Sequence, residues 1–135
     1  LVDSAPGTLS KEWSEWPAKP EAEGGKPVSI ASSVVGKVVW NPGLQKGYMV
    51  FDGLPVNNCN VSQYQLWIID KTQKNPIDGG VFDIITSAPS GEVIVPIDAR
   101  LPVKELVGFG ITIEPAGGVV VSDQSQRVVI AVPGS

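Results

Sequence analysis

Residues 64–70 read Tyr-Gln-Leu-Trp-Ile-Ile-Asp, and this stretch decides how the chain folds. At a strand's period of two, Tyr64, Leu66 and Ile68 share one face, while Gln65, Trp67 and Ile69 share the other. Both rows are largely apolar. A strand that is apolar on both faces is central in its sheet and covered on both sides, or has one face beneath a loop or partner. The stretch therefore predicts the middle of a sheet, not a reactive loop.

The same signature recurs around it. From Pro27 onward, short apolar runs alternate with turns: 28–40, 48–51, 63–70, 80–86, 92–97, 106–114, 118–122 and 127–132. β-Branched and aromatic residues dominate each run. Turns are expected at Asp52-Gly53, Asp78-Gly79-Gly80, Ser90-Gly91 and residues 123–126, because Asp-Gly pairs tolerate positive φ. Phe109, Ile111 and Ile113 form an inner row, and Gly110, Thr112 and Glu114 an outer one. Pro96 places its strand at an edge or a bulge. The expected fold is all-β: a two-layer antiparallel sandwich, immunoglobulin-like or jelly-roll-like, of about seven or eight strands. It would occupy residues 27–135. Residues 1–26 read as a mostly irregular linker with one short helix. Thr8 would cap it, Leu9, Trp13 and Trp16 would follow at i, i+4 and i+7, and Pro17 would stop it. Its tryptophans would dock loosely on the sandwich or rest at a membrane surface, although Glu12 and Glu15 disfavour anionic lipid.

Composition narrows the chemistry. Across 135 residues, 42% are hydrophobic and 18% charged, which is the balance of one folded domain and not of a disordered chain. The net charge is −4 with no basic stripe, so no nucleic-acid partner is expected. No apolar run approaches the ~18–20 residues of a membrane span. No signal-peptide pattern opens the chain, and its first residue is Leu1, so it is expected to be a piece of a longer protein. There is no histidine, which removes Ser-His-Asp and Cys-His catalysis and histidine-ligated metals. The single cysteine, Cys59, has no base beside it and no disulfide partner. Asp52, Asp70, Asp78, Asp83, Asp98 and Glu114 leave a two-carboxylate enzyme as a remote option. Trp40, Tyr48 and Trp67 leave a carbohydrate- or peptide-binding surface as the main alternative. No cofactor or metal is expected.

Three stretches together resemble a known family. Residues 64–70, then Gly79 to Ile84, then Ile111 to Ser122 with Thr112, Glu114, Pro115, Gly117 and Gly118 spaced as Thr-x-Glu-Pro-x-Gly-Gly, are similar to the extracytoplasmic C-terminal domain of anti-sigma-K-type factors. Order and spacing match over roughly residues 40–132. After Gly118 the chain departs from the family, with VVVSDQSQ where a serine and a Pro-Thr pair often follow. The resemblance implies a domain on the outer face of a bacterial inner membrane. It would be joined by a transmembrane helix to a cytoplasmic part that holds a sigma factor, with a site-specific protease cutting the anchor to release that factor. It implies no catalytic residue. On this reading Leu66 and Trp67 fill opposite faces of a central strand at about 1.5–3 kcal/mol each. Tyr64 and Gln65 tie the strand entrance to neighbouring backbone, and Gly117-Gly118 reverse the chain at positive φ.

Overall fold

A computed structural model describes residues 6–17, 20, 22, 24–25, 34–85 and 92–133. Among these there are nine strands and no α-helix: β1 (Leu9–Glu12), β2 (Ser14–Glu15), β3 (Val35–Asn41), β4 (Lys46–Asp52), β5 (Ser62–Asp70), β6 (Ile77–Phe82), β7 (Val93–Pro96), β8 (Leu106–Pro115) and β9 (Arg127–Ala131). They form two antiparallel sheets, one ordered β1-β3-β4-β7 and the other β2-β9-β8-β5-β6. Two hairpins, β3-β4 and β5-β6, lie in opposite sheets. β7 then returns to β4, and β8 returns to β5. This places the fourth strand of each sheet, counted along the chain, beside a strand laid down much earlier, the Greek-key order of immunoglobulin-like sandwiches. The jelly-roll option is not the one taken.

β5 is flanked by β8 and β6, so the strand that is apolar on both faces is indeed interior. Tyr64, Leu66 and Ile68 enter the core between the sheets with Phe109, Ile111, Val38, Trp40, Met49 and Phe51. A column of four rings crosses that core. Trp13 stacks on Phe51 at 5.2 Å, Phe51 on Phe82 at 5.3 Å and Phe82 on Tyr64 at 5.6 Å. Offset stacking of this kind adds about 0.5–1.5 kcal/mol per pair beyond burial. β7 is an edge strand, as Pro96 requires.

Four local expectations are corrected. Leu9 to Trp16 form no helix, because β1 pairs with β3 (Leu9 opposite Trp40, Glu12 opposite Lys37) and β2 pairs with β9 (Ser14 opposite Ile130). The segment thus switches sheets at Trp13, forming a strap across one open edge of the sandwich. Trp13 and Trp16 are buried, only 7% and 8% exposed, so neither docks loosely nor faces a membrane. Asp78-Gly79-Gly80 is no turn but the body of β6, which slips register against β5 between Gln65 and Trp67. Gly79 is needed there for space: a Cβ on it would stand 2.6 Å from Leu66. Residues 118–122 form no strand but lie across the second sheet as a loop. The two strap strands, and the loss of the 118–122 strand, turn the eight expected runs into nine strands. The start of the 28–40 run and the Ser90-Gly91 turn lie outside the described residues.

Candidate functional site

Trp67 and Gln65 point away from the core, onto the outer face of the five-stranded sheet, yet each is only 1% exposed. Thr112 and Glu114 of β8 flank them on the same face, also buried. What covers this face is the β8–β9 connection, residues 116–126, folded back over the sheet. The cover is fastened by side chains that behave as backbone. Gln65 Nε2 donates to Val119 O at 2.9 Å and its Oε1 accepts from Val119 N at 3.0 Å, copying a strand pair. Gln63 Oε1 accepts from Gly117 N at 2.8 Å, while its Nε2 donates to both Asp83 oxygens. Asn57 closes this corner: its Nδ2 donates to Asp83 Oδ1 and its Oδ1 accepts from Ile84 N, each at 2.8 Å.

Beneath the cover runs a polar relay. Trp67 Nε1 donates to Thr112 Oγ1 at 2.8 Å, and Thr112 Oγ1 donates to Glu114 Oε2 at 2.6 Å. Ser122 Oγ, from the cover, donates to the same carboxylate oxygen and accepts from Gln124 N. Every member is satisfied, which is the condition for a buried polar network to stabilise a fold. Gly117 and Gly118 adopt φ of 92° and 76°, so the chain reverses where side-chained residues would be strained. Gly118 also rides on β5 and β6, where a Cβ would meet Val81 at 2.5 Å and Gln65 Oε1 at 2.9 Å.

The strap meets the cover at Arg127. Trp16 lies over Gly110, whose absent side chain makes the slot. The Arg127 guanidinium sits 4.9 Å above the Trp16 ring. The same guanidinium donates to Gln124 Oε1 through Nε and Nη2, and to Pro17 O through Nη1. One side chain therefore holds both the strap and the cover.

At the other end of β5, Asp70 is a second fastening. Its burial pulls the carboxyl up. The N–H groups of Lys104, Thr72 and Glu105 and the Thr72 hydroxyl pull it down further, to about 2. It locks the β5–β6 turn to the 104–105 crossover. Burial pushes Tyr64 up to about 12, and its hydroxyl donates to Pro55 O at 2.8 Å.

Of the residues singled out for chemistry, the structure gathers few. Trp40 is 1% exposed in the core, with Nε1 unpartnered, Trp67 is beneath the cover, and Tyr48 is half-buried, so the three form no exposed aromatic platform. Asp52 ends β4 before Gly53, Asp83 is engaged by Asn57 and Gln63, and Asp78 and Asp98 both lie near Arg100, at 4.0 and 3.6 Å. Cys59 is exposed and forms no disulfide. A groove of about 500 Å³ opens beside β6, lined by Lys74, Pro76, Ile77, Arg100, Leu101 and Val121 among others. Gln63, Ser122 and Arg127 were not foreseen. Only the alternation of Gln63 with Gln65 along β5 hinted at a covered face.

This is an immunoglobulin-like sandwich with two additions, a strap and a fold-over cover, whose polar side chains are spent on holding those additions down. The family model of the C-terminal part of the anti-sigma-K factor RskA matches residues 8–129, and the chain belongs to that family. The match begins at the strap and so includes it. The family is a regulatory one, of anti-sigma factors. No curated protein and no solved structure matches the chain.

Proposed function

We propose that the chain is the extracytoplasmic regulatory domain of a membrane-anchored anti-sigma factor, whose sigma-binding part lies on the cytoplasmic side and whose anchor is cut to release the sigma factor. The observation that carries this is the family match over residues 8–129, which takes in strap, core and cover together. The architecture supports it physically. A domain that must shield or expose an anchor needs a rigid body and fastenings that can be undone, and its polar groups serve here as fastenings. We assign Tyr64, Gln65, Trp67, Glu114, Pro115, Gly117 and Gly118 as the structural motif of the family, with the cover as its purpose: six of the seven sit in or under it, and Tyr64 anchors the strand below. The domain would extend over the strap as well as residues 27–135.

The test is made in the full-length gene product. It should carry ~20 apolar residues ahead of Leu1, preceded by a region that co-purifies with a sigma factor. Removing residues 8–133 should change the output of a reporter driven by that sigma factor. A secretion signal directly ahead of Leu1, or a reporter indifferent to the deletion, would reject the proposal.

A further inference from the structure

The two ends of the sandwich are chemically unlike. One end is built from the β3–β4 turn at residues 42–45, the β5–β6 turn at 71–76 and the crossover at 97–105. Gln45 joins the first to the third through Val103 N and O, and Asp70 joins the second to the third. The chain enters the fold at this end, where Asn41 Nδ2 donates to Pro6 O and Thr8 Oγ1. Here stand Lys46, Lys71, Lys74, Arg100 and Lys104, all exposed, half of the ten Lys and Arg in the chain. Against them are Asp78 and Asp98, both close to Arg100, together with Glu105 and the buried Asp70. At the opposite end stand Glu12, Asp52, Asp83, Glu92, Glu114 and Asp123, against Lys37 and Arg127 among the described residues. The first end sets its cations beside exposed aliphatic side chains: Leu44 at 50%, Leu101 at 48% and Val121 at 57%.

Aliphatic groups standing among lysines form a surface that fits a lipid headgroup layer. The aliphatic groups enter the acyl boundary while the ammonium groups meet phosphates. We infer that this end docks on an anionic bilayer, with Leu44, Leu101 and Val121 among the headgroups and Lys71, Lys74 and Lys104 against lipid phosphates. The acidic far end is repelled by the same surface, so the field both attracts the domain and sets it upright. β5 then stands along the membrane normal for about 30 Å, nine residues at ~3.3 Å each, and carries the cover's turn away from the lipid. The inference rests on the membrane-anchored reading for where the domain meets lipid, but its chemistry lies in the end itself.

The experiment sediments residues 1–135 with large unilamellar vesicles at low ionic strength, using phosphatidylcholine alone and phosphatidylcholine containing one third phosphatidylglycerol. Partitioning onto the anionic vesicles should exceed that onto the neutral ones by at least tenfold and should fall as salt rises. Lys74→Glu should weaken it about fivefold or more, and Leu101→Asp should weaken it also. Lys37→Glu, the same charge change on β3, should stay within about twofold of the parent. Absence of partitioning, equal partitioning onto both vesicles, or an equal loss with Lys37→Glu overturns the inference. So does loss of reporter control by Lys74→Glu without any vesicle binding, which would assign the end to an acidic protein instead. The outcome is separable from the sigma-factor test. Vesicle binding can fail while the reporter still answers to the domain, and it can succeed in a chain with no sigma factor at all.

Discussion

Gly110→Ala would place a methyl carbon 2.3 Å from Trp16 Cζ3 and 2.7 Å from Cη2, where ordinary contact begins at 3.4 Å. The ring must retreat by about 1 Å, and the Arg127 guanidinium on its far side, 4.9 Å from its centroid, resists. Two responses compete. If the strap stays, the site is overpacked, which costs about 1–3 kcal/mol. If β2 lets go, Trp16 loses its burial, worth at most about 4–6 kcal/mol for a 150–250 Å² ring, less the entropy the freed segment recovers. The strained, attached state is the cheaper one. The expected loss is therefore about 1–3 kcal/mol, or roughly 3–10 °C in melting temperature for a domain of this size. Thermal denaturation followed by circular dichroism reads it. The decisive comparison is the same substitution in a Trp16→Ala background, which keeps its fold because Trp16 lies outside the core between the sheets. There the methyl group has room, and alanine should be neutral or stabilising by about 0.5 kcal/mol, since glycine is poorly suited to a strand. A penalty of equal size in both backgrounds would mean that the slot does not exist and that the strap is not seated as described.

Gly118→Ala, with φ of 76° and Val81 at 2.5 Å from the new carbon, should destabilise the cover by about 1–3 kcal/mol, whereas Gly117→Ala, with open space around it, should cost nearer 1 kcal/mol. Hydrogen exchange confined to residues 116–126 would separate the two, and equal protection in both variants would contradict the assignment of Gly118 to close packing. Trp67→Phe shrinks the buried indole to a phenyl ring and strips its donor from Thr112 Oγ1, with an expected cost of at least about 1–2 kcal/mol in chemical denaturation. An unchanged midpoint would show the relay to be idle. Asp70 titrates near 2 in the fold, below its ordinary 3.8, so its contribution is fully present above pH 4 and lost as the pH falls toward 2. The parent should lose stability across that window and Asp70→Asn should flatten the loss, whereas parallel acid profiles would refute the role of the four hydrogen bonds.

The core was readable in the sequence because its signal is local. A strand apolar on both faces, as in Leu66 and Trp67, announces cover on both sides whatever that cover is. Pro96 announces an edge through the hydrogen bond it lacks. The cover's identity was not readable. Val119, Val120 and Val121 look like a strand by composition, but their partner is the Gln65 carboxamide and not another backbone, and a side chain that imitates a backbone leaves no periodicity. The strap failed differently. Leu9, Trp13 and Trp16 fit a helical stripe as well as a strand that changes sheets, because at Trp13 the chain twists from one layer to the other and breaks the period of two. Asp78-Gly79 misled for a third reason: glycine serves there to admit the Leu66 side chain, a need set by the neighbouring strand and not by any turn.

These failures have a common location, and it bears on how the domain would work. Strap and cover are the two parts least encoded by local pattern, and both are held by contacts between distant residues: Trp16 with Arg127, Gln65 with Val119, Glu114 with Ser122. Such contacts add little to the sandwich core, whose cluster between the sheets contains neither Trp16 nor Trp67. The second half of the strap, β2 with Trp16, can therefore be lifted without unfolding the sheets, whereas Trp13 belongs to the core and stays in it. Arg127 then matters out of proportion to its size. Lifting the strap removes the ring beneath its guanidinium and the Pro17 carbonyl it binds, leaving Gln124 as its remaining partner among the contacts described. Gln124 N is bonded to Ser122 Oγ, and Ser122 to Glu114, so a disturbance at Trp16 reaches the buried Glu114 through four successive contacts. The second sheet thus gives a pull on the N-terminal segment a short physical route to the cover, while the stacked rings of Phe51, Phe82 and Tyr64 keep the body beneath it unchanged.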